Sequence, residues 1–184
     1  MSTISSRYKY LLSISALCAV LLAAYAASGL AADRPTGVQV GSMAPDFSVQ
    51  RMDGKTFHLA DFRGKKPVYL VFWATWCPTC LREIPDFKAL HQRYGKDVEM
   101  LAINVDTLSW ASNLTSTKRR VEHYRKKHQL PYNIALDDDN RLAELFAVRG
   151  TPTQMLIDKN GFIRNRFAVL TNNAVAVLEQ TLRE

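Results

Sequence analysis

Six apolar residues in a row, Val68-Tyr69-Leu70-Val71-Phe72-Trp73, lead through Ala74-Thr75-Trp76 into Cys77-Pro78-Thr79-Cys80. A short run this rich in β-branched and aromatic side chains, with no polar alternation, reads as a central strand buried on both faces. The periodicity then changes. Leu81, Ile84, Phe87 and Leu90 recur at three- to four-residue spacing, and Gly95 stops the pattern, which predicts a helix from Pro78 to Tyr94. Pro78 suits the first helical turn, where a missing N–H costs nothing, while Pro85 is expected to kink the helix. A buried strand that feeds a helix through C-x-x-C puts the first cysteine at the helix N-terminus. Free N–H groups and the macrodipole favour a thiolate there. Cys80 is one turn on, close enough to close a small disulfide ring. Cys77 is therefore the expected nucleophile and Cys80 the resolving thiol.

The flanking sequence fills in one α/β domain. Phe47–Arg51 and Thr56–Leu59 read as a hairpin around Asp53-Gly54, and Leu59–Phe62 as a turn ended by Gly64. Val98–Val105 is the next strand. Residues 114–128 form a polar helix with the stripe Leu114, Val121 and Tyr124. A strand at Pro131–Leu136, a short helix at 140–147, a hairpin of Gln154–Asp158 with Phe162–Phe167, and a final helix at Asn172–Arg183 complete the order. Strands alternating with helices predict a central mixed β-sheet flanked by helices.

Compartment bears on what a dithiol can do. The 184 residues contain three cysteines, Cys18, Cys77 and Cys80. Arg7 and Lys9 precede Leu11–Ala32, a stretch without a charged residue, and Ala31-Ala32 supplies small residues near its end. This pattern reads as a secretory signal or as a retained N-terminal membrane anchor. Either way the positive flank stays inside and residues 43–184, joined by a linker at 33–42, are exported. Cys18 belongs to the apolar segment. Removing 1–32 lowers the formal charge from +7 to +5. Much of that excess lies in Lys118-Arg119-Arg120 and Arg125-Lys126-Lys127, which read as the solvated face of a helix. No aromatic-interleaved basic stripe supports nucleic-acid binding.

A C-x-x-C also occurs in zinc sites, but those need four ligands, and the exported part has no further cysteine. His123 and His128 lie five apart on a charged helix and read as solvated. A purely structural Cys77–Cys80 disulfide would close so small a loop that it adds little loop entropy. No metal or other cofactor is expected.

Residues 41–167 resemble the thioredoxin superfamily, specifically its exported TlpA/ResA/CcmG-like thiol–disulfide oxidoreductases. The resemblance is carried by Ala44-Pro45-Asp46-Phe47, Asp53-Gly54-Lys55, Phe72 to Cys80, and Gly150-Thr151-Pro152-Thr153 ahead of Leu156-Ile157-Asp158. Cys-Pro-Thr-Cys is similar to the cytochrome c maturation branch, and Gly-Thr-Pro-Thr to the TlpA/ResA branch. The resemblance implies a thioredoxin-like fold with an N-terminal β-hairpin and a central insertion at about Thr107–Tyr132. It implies that Pro152 is a cis-proline facing the active disulfide. Thr151 would offer its backbone to an extended substrate segment. Glu83 matches a buried acidic residue that could move the proton of Cys80. Trp76, Pro78 and Thr79 are the candidate substrate contacts around the pair.

The function expected is an exported, periplasmic disulfide reductase acting on protein dithiols, with cytochrome c maturation and copper-site assembly proteins as the target classes the resemblance implies. It would be re-reduced by a membrane thiol-electron donor, and residues 11–32 could anchor it. A disulfide-forming oxidant is the alternative; such enzymes often carry a histidine between the cysteines, whereas Pro78-Thr79 brings no charge. A peroxidase is a further alternative, because the flanks also resemble peroxiredoxins, although Thr75 stands two residues before Cys77 rather than three. A copper-binding chaperone is the last, and it lacks an additional His or Met cluster.

Overall fold

The computed structural model describes residues 38–108 and 114–184. The segment read as signal or anchor, with Cys18, and the first part of the linker lie outside the described residues. The hairpin is β1 (Ser48–Gln50) and β2 (Thr56–His58), followed by a 3-10 turn at Leu59–Phe62. Gly54 sits in the turn at φ 84°, a conformation that favours glycine. Then come β3 (Val68–Trp73), α1 (Pro78–Arg82), α2 (Ile84–Tyr94), β4 (Glu99–Asn104), a 3-10 turn at Asp106–Leu108, α3 (Leu114–His128), β5 (Asn133–Leu136), α4 (Arg141–Leu145), β6 (Thr153–Ile157), β7 (Ile163–Phe167) and α5 (Asn172–Arg183).

The main sheet has the order β5-β4-β3-β6-β7. β3, β4 and β5 run parallel; β6 is antiparallel to β3, and β7 to β6. All six residues of β3 are buried, as its unbroken apolar run requires. Its side chains alternate between two aromatic clusters. Tyr69 meets Phe87 of α2 edge-on at 6.2 Å, and Trp73 leans on Tyr124 of α3 at 5.2 Å. On the opposite face Phe72 meets Phe146, which lies edge-on to Phe47 at 5.4 Å, and Phe47 stacks on Phe57 of the hairpin. The hairpin is thereby packed onto the sheet. It is also hydrogen-bonded to it, because Met52 N donates to Ile134 O at 2.8 Å.

One expectation needs correcting. The predicted helix Pro78–Tyr94 is two helices, with Glu83 ending the first and capping the second. The cause is Pro85, which has no N–H to donate to Leu81 and falls instead in the first turn of α2, where none is needed.

Candidate active site

The end of β3 sets the position of the cysteines. After Trp73 the chain turns, and Cys77 N donates to Ala74 O at 3.2 Å. Cys77 is the N-cap of α1, and its Sγ accepts from Cys80 N at 3.1 Å. Cys77 and Cys80 form a disulfide with their Cα atoms 5.3 Å apart. Both are largely shielded, at 4% and 7% exposure. Exposure therefore does not distinguish the two sulfurs; Cys77 Sγ differs in accepting an N–H, a contact that favours a thiolate. Around them the rim is open. Trp76 is 53% exposed, Pro78 is exposed and Thr79 half-buried.

The antiparallel partner supplies the facing wall. Thr153 pairs with Phe72, so the residues just before β6 lie level with the C-terminal end of β3. The Thr151–Pro152 peptide bond is cis. Pro152 and Cys80 line one cavity of about 20 Å³, enough for a single water-sized guest, together with Trp73, Glu83, Phe87 and Tyr124. Thr153 Oγ1 donates to Gly150 O at 2.7 Å and closes the turn that carries the proline.

Glu83 stands on the inner side of this cavity. Its side chain is held by two donors, Leu170 N at 2.6 Å and Gln154 Nε2 at 3.2 Å. Gln154 in turn accepts from Tyr69 Oη at 2.7 Å. Burial raises the Glu83 carboxyl above the usual range, and the two hydrogen bonds only partly oppose that shift. Of the residues picked from the sequence, Cys77, Cys80, Glu83 and Pro152 are thus brought together, with Trp76, Pro78 and Thr79 at the mouth and Thr151 beside the cis bond.

Gln154, Tyr69 and Asp106 also take part, and no short motif marks them. Gln154 is a fully buried amide in a strand that otherwise reads as apolar, and that oddity was the available clue. Asp106 is fully buried and accepts from Thr75 N at 2.7 Å, Thr75 Oγ1 at 2.6 Å and Arg120 Nε at 2.8 Å. The Thr75 hydroxyl is thus committed to Asp106. Lys118, Arg119 and Arg120 are all exposed, as expected of a solvated face, but Arg120 also reaches inward through its Nε to the buried Asp106. Among the described residues no group of three or more His, Cys, Asp or Glu could hold a metal ion.

A strand-to-helix dithiol, a cis-proline wall and a buried carboxylate together suit thiol–disulfide exchange with another polypeptide. The comparisons agree. The AhpC/TSA family matches residues 40–166. A thiol-disulfide oxidoreductase ResA from Geobacillus thermodenitrificans is 38% identical over 130 residues, 70% of this chain and 69% of the relative. The crystal structure of the exposed lipoprotein thioredoxin of Streptococcus pneumoniae is 30% identical, with a TM-score of 0.62, covering 76% of this chain and 98% of that one. StoA from Bacillus subtilis, at 22% identity and a TM-score of 0.61 over 77% of this chain and 98% of its own, shares the fold. The chain belongs to the AhpC/TSA family and, within the thioredoxin superfamily, to its ResA/CcmG-like thiol–disulfide oxidoreductases.

Proposed function

We propose that this oxidoreductase works outside the cytoplasm as a reductase of protein disulfides, with Cys77 as nucleophile. The observation that carries the assignment is the N–H of Cys80 on Cys77 Sγ, which makes Cys77 the better thiolate of the pair. In the dithiol form the Cys77 thiolate attacks one sulfur of the target disulfide. A Cys77–target bond forms, the target S–S bond breaks, and the second target sulfur leaves as a thiolate. Cys80 then gives up its proton and attacks Cys77 Sγ. The mixed disulfide breaks, the first target thiol is released, and Cys77–Cys80 closes. Two electrons pass from this chain to the target.

Glu83 lines the same cavity as Cys80 and, with its carboxyl raised by burial, accepts the Cys80 proton. Thr151 and Pro152 receive the target backbone, and Trp76, Pro78 and Thr79 contact its side chains from the open rim. The reducing direction is supported by the absence of charge between the cysteines. The export reading of residues 1–32 supports an extracytoplasmic site with membrane tethering, residues 43–184 forming the working domain. Re-reduction then needs a membrane thiol donor. The resemblance of Cys-Pro-Thr-Cys to the cytochrome c maturation branch supports apocytochrome-type dithiols as targets, with copper-site assembly proteins as the second class.

Two measurements test this reading. A Cys80→Ser chain in its native envelope should accumulate mixed disulfides at Cys77; if capture requires Cys80 instead, the assignment is reversed. A reduction potential below about −200 mV supports the reductant, and one near about −120 mV supports the disulfide-forming alternative.

A further inference from the structure

The loop that presents Cys77 is pinned by a carboxylate shared with the inserted helix. Asp106 follows β4 and has no exposed surface. Its Oδ1 accepts from Thr75 N at 2.7 Å and Asn104 Nδ2 at 3.1 Å, and its Oδ2 accepts from Thr75 Oγ1 at 2.6 Å. The charge on Asp106 is met by Arg120 of α3, whose Nε lies 2.8 Å from Oδ2 and whose side chain is 41% exposed. Thr75 is two residues from Cys77, so at most about 7 Å of backbone separates them. The loop has little freedom between these anchors, because Cys77 N is itself bonded to Ala74 O.

We propose that Asp106 and Arg120 are a positioning pair for the redox site: Asp106 fixes the Thr75–Cys77 loop, and the balance of the two charges sets the equilibrium between dithiol and disulfide. Neither residue touches the sulfurs; both act through Thr75 and through the field at Cys77. A buried carboxylate bonded to Thr75, two residues before Cys77, opposes a thiolate on Cys77, and Arg120 offsets that opposition. Removing the Asp106 charge takes away that opposition while the Arg120 cation remains, and so favours the thiolate and thus the dithiol form. Removing the Arg120 charge does the reverse. The proposal rests on Cys77–Cys80 being the exchanging pair.

The test is equilibration of the full chain and its variants against a glutathione redox buffer at pH 8.5, near the ordinary thiol pKa, where the thiolate is populated. Asp106→Asn should shift the equilibrium toward the dithiol by about tenfold, equivalent to about 30 mV for this two-electron couple. Arg120→Gln should shift it toward the disulfide, Arg120→Lys should restore it, and the Asp106→Asn, Arg120→Gln double variant should return to within about threefold of the unaltered chain. Residues that only hold the fold together would lower the thermal midpoint of both redox forms and leave the equilibrium within about twofold. That result overturns the proposal. So does a shift of the same sign in both single variants. If Asp106→Asn fails to fold, the sign of the Arg120→Gln shift decides. Failure of the unaltered chain to exchange with glutathione would instead refute Cys77–Cys80 as the redox pair.

Discussion

Replacing Glu83 separates what its carboxylate holds from what its proton does. The side chain is 4% exposed, and its two oxygens accept from Leu170 N at 2.6 Å and Gln154 Nε2 at 3.2 Å. Glu83→Ala strands both donors. A buried donor left unpaired costs about 1–3 kcal/mol, so the pair should cost about 2–6 kcal/mol before any cavity is counted. Glu83→Gln keeps one acceptor, best used by Leu170 N, and should cost at most about 1–3 kcal/mol. It also removes the need to bury an ionised group. The sign of the pH effect follows from the raised carboxyl. The folded chain holds this proton more tightly than the unfolded chain. The resulting stability is fully present below the unfolded value, about 4.3, and is lost as pH rises through the folded value. Urea unfolding of the oxidised form, measured for the unaltered chain and Glu83→Gln from pH 4 to 8, gives the difference directly. The unaltered chain should lose ground to Glu83→Gln as pH rises and then level off. A flat difference, or one that grows in favour of the unaltered chain with rising pH, would refute the claim that burial dominates at Glu83.

Three further outcomes can be read from the same unfolding curves. Phe146→Ala removes a fully buried ring that contacts both Phe47 and Phe72, and should cost about 3–5 kcal/mol; a loss under about 1 kcal/mol would mean that the hairpin is not seated through this cluster. Gly161→Ala places a side chain at φ 92°, with its Cβ 2.9 Å from Met43 Sδ, and should cost about 1–2 kcal/mol. Tyr124→Phe removes a buried hydroxyl that has no partner among the described residues, and should leave stability unchanged or raise it by up to about 1 kcal/mol. A clear loss in Tyr124→Phe would show that the hydroxyl is bonded in solution.

What the sequence reveals here depends on how local the cause is. The bounds of β3 and α5 read directly from it, because a continuous apolar run and an amphipathic stripe are written in consecutive residues. The hairpin was legible from Asp53-Gly54 for the same reason. The apolar stripe after Cys77 predicts one kinked helix, but Pro85 suits a first helical turn as well as Pro78 does. Applying that rule twice yields α1 and α2 with Glu83 at their junction. Cys77, Cys80, Glu83 and Pro152 could be named because each belongs to a short word or a fixed offset. Gln154 and Asp106 could not, since the groups that give them a role, Glu83 and Thr75, are 71 and 31 residues away in the chain.

Arg120 shows why the remainder of the site lay hidden. In Lys118-Arg119-Arg120 all three cations look alike, and helical geometry turns only one of them toward the buried carboxylate. Which one is set by the phase of α3, and that phase is fixed by Val121, fully buried, and by Tyr124 against Trp73. Trp73 is the last residue of β3, and Thr75, two residues on, bonds Asp106. The apolar stripe that docks the insertion therefore also chooses the cation that reaches the redox loop. One residue inserted between Arg120 and Val121 would, with Val121 and Tyr124 still docked, rotate Arg120 away from Asp106 by about 100°. The inserted helix and the active-site loop are accordingly one mechanical unit, joined through Trp73 on the apolar side and through Asp106 on the polar side.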